Sequence, residues 1–375
     1  MPPEQLAKLT YLARRSIAVI LENQTPGGAY LASPNFPVYR YSWYRDGSFI
    51  AEAMSRAGHP ESAEAFFGWC ARVIASRSEQ IEALITRGRL GDAIGIEEHL
   101  HARYSADGTE AGDQWWNFQL DGYGAWLWAL ASHLKRHGGD GDRFCIGVSL
   151  CVRYLCQFWR QPCYDWWEEN SEHSHTSTLA AVHAGLEAAS RLELLPVSLR
   201  EAAAANAMAI QAEVLKRGVF DGALVKWLDG ETIDGSLLSC AIPFGLLPAD
   251  GLVMSSTVQR LEHQLAHGGV HRYLADRYYG GGEWILLAAW LGWHYAAVGR
   301  RQDALGQLEW VAAQANLAGE LPEQVSQHLL SPDALGEWVD RWGPVATPLL
   351  WSHAMYLILA LELGTATAPI APLPQ

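Results

Sequence analysis

An all-α fold, a barrel of six helical hairpins, is predicted by three observations. Apolar residues recur at three- and four-residue steps from end to end, as in Leu6, Leu9, Ala13, Ile17 and Ile20, and almost no segment alternates as a strand does. The periodic segments number twelve, too many for a small bundle. The links between them alternate: a few residues after each even-numbered helix, and a long stretch rich in Gly, Asp, Trp and Tyr after each odd-numbered one. Short links make antiparallel hairpins. Six hairpins with the even helices inside and the odd ones outside form an (α/α)6 barrel, which absorbs residues 1–375 as one domain.

In order, helices are expected over 4–23, 43–57, 60–77, 118–136, 143–158, 174–193, 197–215, 236–243, 252–266, 283–298, 301–317 and 348–363. Gly58-His59-Pro60, His137-Gly138-Gly139-Asp140 and Leu195-Pro196 each stop one helix and start the next, because glycine suits a helix end and proline a first turn. Thr347-Pro348 reads as an N-cap followed by proline at the first helical position. All six long loops then open on one face, at the N-terminal ends of the inner helices. Free backbone N–H groups there suit polar ligands, and function is expected on that face.

Composition narrows the function. With 27 Lys+Arg against 41 Asp+Glu, the net charge of −14 repels phosphate backbones and anionic membrane surfaces. A 49% hydrophobic and 18% charged chain builds a large core and is not disordered. The apolar stretches at 284–299 and 342–361 are too short or are interrupted by Pro344, Pro348, Ser352 and His353, so no membrane span is expected. Met1-Pro2-Pro3-Glu4-Gln5 has no basic region leading into an apolar run, which predicts a cytoplasmic protein. Cys70, Cys145, Cys151, Cys156, Cys163 and Cys240 match neither a metal knuckle nor a disulfide scaffold and read as reduced, mostly buried thiols. Asp140-Gly141-Asp142 reads as a turn and His173-Ser174-His175 as a hydrogen-bonding pair, so no metal and no cofactor are expected. The unusual number is seventeen tryptophans, which hints at stacking on sugars or aromatic ligands.

The long loops carry the chemistry. The first ends in Tyr39-Arg40-Tyr41-Ser42-Trp43-Tyr44-Arg45-Asp46, the third contains Asp165-Trp166-Trp167-Glu168-Glu169-Asn170, and the last contains Glu320-Leu321-Pro322-Glu323-Gln324. Two separated glutamates in aromatic settings point to glycoside hydrolysis, which needs one carboxyl to protonate the leaving oxygen and another to activate water or attack the sugar. Trp166 and Trp167 beside Glu168 are expected to desolvate that carboxyl and raise its pKa, with the like charge of Glu169 acting in the same direction. Arg45-Asp46 can grip sugar hydroxyls through charge-assisted hydrogen bonds.

Taken together, Tyr39…Trp43-Tyr44-Arg45-Asp46, Trp166-Trp167-Glu168-Glu169, Arg272-Tyr273…Asp276…Tyr278-Tyr279…Trp284, Pro322-Glu323-Gln324 and Leu350-Trp351-Ser352-His353 resemble glycoside hydrolase family 15, the glucoamylases, glucodextranases and some trehalases. The resemblance runs in order over residues 39–360. It implies that Glu168 is the general acid and Glu323 the general base. It also implies that Glu169, Arg45, Asp46 and Arg272 hold the non-reducing glucose, with Tyr39 and Trp43 lining that subsite. Trp167, Trp284, and Trp115 or Trp116, complete the implied sugar-binding set. Members invert the anomeric carbon and release β-glucose, so a small α-gluco-oligosaccharide is the expected substrate.

The first helix begins near residue 4, leaving no room for the N-terminal β-sandwich of many prokaryotic members, and no starch-binding domain is expected. A bare barrel suits short α-glucosides, with α-1,6-linked isomaltose preferred. The polar run Asn170-Ser171-Glu172-His173-Ser174-His175 after the acid leaves α-1,4 glucoamylase and trehalase as alternative specificities. A non-catalytic carbohydrate-binding or regulatory barrel is the alternative of another class.

Overall fold

The computed structural model describes residues 2–139 and 141–373. Asp140 of the expected turn, and residues 1, 374 and 375 of the expected domain, lie outside the described residues.

The inner ring consists of α2 (Tyr44–Arg56), α5 (Asp121–His137), α7 (Thr176–Ala189), a 3₁₀ helix at Gly235–Cys240, α10 (Ile285–Ala297) and α13 (Leu350–Glu362), each packed on the next, with α13 closing onto α2. Of these, α10 and α13 are apolar around most of their circumference, as in Ile285-Leu-Leu-Ala-Ala-Trp-Leu-Gly-Trp293, and are buried accordingly. The outer ring is α1 (Pro3–Glu22), α3 (Pro60–Ala75), α6 (Cys145–Phe158), α8 (Val197–Arg217), α9 (Leu252–Leu265) and α11 (Arg301–Ala313). These helices bury one stripe; in α1 it includes Leu9, Leu12, Ala13, Ile17 and Ile20. The alternation read from the links is therefore the alternation of the barrel.

Four expectations need correction. The segment 236–243 is a six-residue 3₁₀ helix rather than an α-helix; the side chain of Asp234 caps the N–H of Ser236, and Pro243 blocks extension. Two helices were not expected: α4 (Ser78–Leu90) in the second long loop and α12 (Leu335–Trp342) in the last. The five inner α-helices start one to three residues later than expected because the residues before them pair with other loops. Ser42–Trp43 (β1) pairs with Arg103–Tyr104 (β2), Glu283–Trp284 (β5) pairs with Gln324–Val325 (β6), and His175 and Phe118 form bridges to Trp227 and His101. Thr347 does not cap α13; Leu349 precedes the helix, and its N–H bonds to the Leu321 carbonyl. A further ribbon of Val219–Phe220 (β3) and Ala223–Leu224 (β4) lies within the fourth long loop. All six cysteines are free, and four of them, Cys70, Cys151, Cys163 and Cys240, are buried.

The tightest helix crossing is that of α5 on α7, where Gly124 meets Gly185. A Cβ on Gly124 would lie 2.3 Å from the Ala181 carbonyl oxygen, and one on Gly185 would lie 2.5 Å from that of Gly124. Gly306, inside α11, has open space around it. The two positions should respond oppositely to the same substitution. Gly124→Ala should destabilise the protein by about 1–3 kcal/mol through overpacking, whereas Gly306→Ala should stabilise it by about 0.5–1 kcal/mol through helix propensity, as read from urea midpoints.

Candidate active site

The long loops surround a cavity of about 370 Å³ at the N-terminal ends of the inner helices, a size typical of small-ligand sites. All twelve candidate residues line it: Tyr39, Trp43, Arg45, Asp46, Trp115, Trp116, Trp167, Glu168, Glu169, Arg272, Trp284 and Glu323. Its deep end rests on an aromatic floor. Trp166 and Trp351 face the cavity, and Phe49 and Trp290, both fully buried, pack against them from below.

Glu168 sits in a turn with left-handed backbone, φ 67°, followed by Asn170 at φ 54°. Such values are sparsely populated by residues with a Cβ, and persist where the surroundings over-determine them. Asp165 supplies that constraint. Its carbonyl accepts from the Glu168 N–H (3.0 Å), its Oδ1 accepts from the N–H groups of Trp167 and Glu169 (2.9 Å each), and its own N–H donates to the Glu169 carbonyl (3.0 Å).

The turn aims the two adjacent glutamates at different partners. Glu168 Oε1 accepts from the Trp43 indole N–H (2.7 Å) and from Gln119 Nε2 (3.2 Å), with the Arg45 guanidinium 4.0 Å away. Glu169 meets Arg272 at 3.5 Å and accepts from the Tyr273 hydroxyl. Burial raises the Glu169 carboxyl above its ordinary pKa, and Arg272 opposes the rise. Trp166 and Trp167 line the same cavity as Glu168 without hydrogen-bonding to its carboxyl. Trp166 joins the floor, and Trp167 packs on Trp284 and donates to Asp234, so it is Trp43, from the first loop, that touches the carboxyl.

Two arginines anchor opposite parts of the site. Arg45 ion-pairs with Asp121 (2.9 Å), donates to Gln119 Oε1 (2.7 Å) and lies 3.7 Å from Asp46. Arg272 holds Asp276, with Nε 2.8 Å from Oδ2, and lies among the rings of Trp167, Tyr273, Tyr278 and Trp284 at 5.2–5.5 Å. Glu323 enters from the last long loop, set by β6 beside β5 and by its own N–H bond to the Ala346 carbonyl. It is 2% exposed, and its Oε2 has no hydrogen-bond partner among the described residues. Burial pushes its pKa up to about 8, against the charge of Arg272 and the hydroxyls of Tyr39 and Tyr278. Burial likewise takes Asp46 to about 7, against the pull of Arg45.

Several residues of the site fell outside the candidate set. Gln119 and Asp121 stand in the segment that supplied Trp115 and Trp116, and Tyr273 and Tyr278 stand beside Arg272; reading those segments for hydrogen-bond partners as well as sugar contacts would have found them. Trp338 and Trp342 come from α12, with Trp342 stacked 6.3 Å from Trp115. Arg103, fully buried, lies 3.8 Å from the Trp115 ring and 4.1 Å from that of Tyr41. No sequence motif flagged it. His173 stacks on Trp227, and His175 Nε2 lies 2.9 Å from the Asn170 carbonyl, so both histidines brace the loop behind the turn.

Among known proteins, the chain is 50% identical over 363 residues to an isomaltose glucohydrolase from Kribbella flavida, covering 96% of this chain and 94% of that protein. A glycosidase solved in complex with glucose superposes with a TM-score of 0.95 at 48% identity, covering 98% of this chain and 100% of the other. The glucoamylase of Saccharomycopsis fibuligera shares the fold at TM-score 0.72 and 14% identity, covering 96% and 94%. The model of glycosyl hydrolases family 15 matches residues 7–361. With the barrel, the cavity and this match in place, the chain belongs to glycosyl hydrolases family 15.

Proposed function

We propose that this chain is an inverting, exo-acting α-glucosidase that cleaves short α-1,6-linked glucosides of the isomaltose type, with the barrel as its catalytic unit. The reading also places it in the cytoplasm, where its six free thiols stay reduced. The observation that carries it is the pair of carboxyls brought to one cavity from different loops. Glu168 is the more open, with a side chain 13% exposed, and Glu323 is enclosed. The leaving sugar must depart toward solvent, so its proton donor belongs at the open position. The attacking water must be shielded, so its base belongs at the enclosed one. Identity to the Kribbella flavida enzyme supports the linkage.

In this mechanism Glu168 gives its proton to the glycosidic oxygen as the C1–O bond breaks. Water attacks C1 from the opposite face, and Glu323 takes the proton that water loses, so glucose leaves with inverted configuration. Arg45, Asp46, Glu169 and Arg272 hold the sugar hydroxyls, while Trp43, Trp115, Trp167 and Trp284 cover its apolar faces.

Proton NMR of the enzyme with isomaltose, maltose and trehalose in parallel should show early β-glucose from isomaltose. Early α-glucose, or glucose from trehalose alone, would refute the reading. Glu323→Gln should lower kcat by about 10²–10⁴, the usual weight of a general base. Catalysis needs Glu323 ionised, so the acid limb of kcat/KM should lie above the ordinary carboxylate range.

The same titration predicts a stability change. A carboxyl raised to about 8 in the folded state binds its proton longer than it does unfolded, so it lowers stability as pH climbs from the ordinary carboxylate value toward 8. Glu323→Gln removes that loss. Its Tm advantage over the wild type should grow across this window and then level off; an advantage independent of pH would contradict the assignment.

A further inference from the structure

Beneath the Glu168 turn lies a buried ion cluster that the reaction itself does not call on. Lys226, from the loop between α8 and the 3₁₀ helix, is 5% exposed. Its Nζ lies 3.2 Å from Asp165 Oδ2 and 3.0 Å from Asp234 Oδ2. Both carboxylates are almost fully buried, and each grips the catalytic loop. Asp165 Oδ1 holds the N–H groups of Trp167 and Glu169, while Asp234 holds the Trp167 indole N–H at 3.0–3.1 Å. The ammonium also lies 3.6 Å from the centre of the Tyr273 ring, whose hydroxyl donates to Glu169. Burial works against the Lys226 charge, yet Asp234 and Asp165 outweigh it and keep the ammonium protonated.

We infer that Lys226 is a positioning residue for the proton donor: by clamping Asp165 and Asp234 it locks the left-handed turn that aims Glu168 at the glycosidic oxygen. The inference rests on Glu168 being that donor. Three features separate this role from general core stability. Four of the backbone hydrogen bonds that shape the turn involve Asp165. Asp165 in turn meets a buried cation in Lys226. The conformation held, with φ at 67°, is one that residues with a Cβ seldom adopt. Without the ammonium, two buried carboxylates would face each other, and the repulsion would move Asp165 and the turn with it. Lys226 touches neither Arg45 nor Glu323 in any hydrogen bond or ion pair among the described residues. The Arg45–Asp46 part of the sugar grip and the water-activating side should survive its loss, whereas Glu169, tied to the cluster through Asp165 and Tyr273, shares the displacement.

The test compares wild type, Lys226→Gln and Glu168→Gln on isomaltose and on α-glucosyl fluoride, whose fluoride departs with little proton assistance. Circular dichroism and Tm are recorded alongside. Displacing an otherwise intact acid should cost about 10²-fold in kcat on isomaltose and reduce kcat on the fluoride by no more than roughly threefold, while any rise in KM from the shifted Glu169 should be common to both substrates. A merely structural lysine would lower both substrates alike. Equal losses in Lys226→Gln, or no loss, while Glu168→Gln still spares the fluoride, would overturn the inference. If Glu168→Gln itself loses both substrates equally, the proton-donor assignment fails and takes the inference with it. Should Lys226→Gln not fold, Asp165→Asn carries the test, because it keeps the Oδ1 acceptor and the side-chain volume but removes the charge facing Lys226. The same split between substrates is expected there, and equal losses or none would overturn the proposal.

Discussion

Burying cations in and behind the wall of the cavity is the constraint around which this site is organised. Arg45, Lys226 and Arg272 are each 5% exposed or less, and each is held between two carboxylates: Asp121 and Asp46, Asp165 and Asp234, Asp276 and Glu169. Taking an ion out of water is expensive, and the loss is recovered only where partners and hydrogen bonds are fully supplied. The long loops exist in their observed shapes because they must deliver those partners. Asp121 comes from the start of α5, Asp165 from the third long loop, Asp234 from the fourth and Asp276 from the fifth. Removing one member of such a set leaves an unpaired buried charge, typically a loss of about 3–5 kcal/mol. The charges that shape the substrate site are thus also fixed points of the fold.

The parts of this architecture that were legible in the sequence are those with a one-dimensional signature. The long and short links between helices alternate, and that alternation carries the ring order without any contact information; the all-round apolar character of inner helices such as α10 and α13 agrees with it. The same alternation placed four separated motifs on one face, where the cavity gathers them. What was not legible depends on pairings distant in sequence. The 3₁₀ helix at Gly235–Cys240 is apolar enough to look α-helical, and its end is set by Pro243. The helix α12 has no fully buried residue and packs inward through Leu335, Trp338 and Trp342, the two tryptophans lining the cavity. Trp166 and Trp167 adjoin Glu168 in sequence, but the left-handed turn sends its carboxyl to Trp43, 125 residues earlier. Sequence adjacency named the right cluster and the wrong contact.

Glu323 and Asp46 show what the cavity demands in exchange. Both are raised by burial, to about 8 and about 7, so each would be more comfortable as a neutral group. At Glu323, which pairs with no cation, an amide would suit the protein better and the proposed reaction worse; at Asp46 the pairing with Arg45 weighs against that exchange. The tension between stability and activity is therefore localised at the carboxyls that face the sugar, while the paired cations behind them serve both ends.

The aromatic floor also fixes the sequence of departures. Because Phe49, Trp166, Trp290 and Trp351 close the barrel axis below the cavity, a sugar that enters reducing-end outward cannot pass through. In the proposed mechanism the aglycone lies nearer the opening and leaves first, while the glucose cut from the non-reducing end, deeper in, must retrace the route by which it arrived. In the proposed reading turnover is thus ordered, with the glucose cut from the non-reducing end as the last molecule out and a competitor of fresh substrate for the free enzyme.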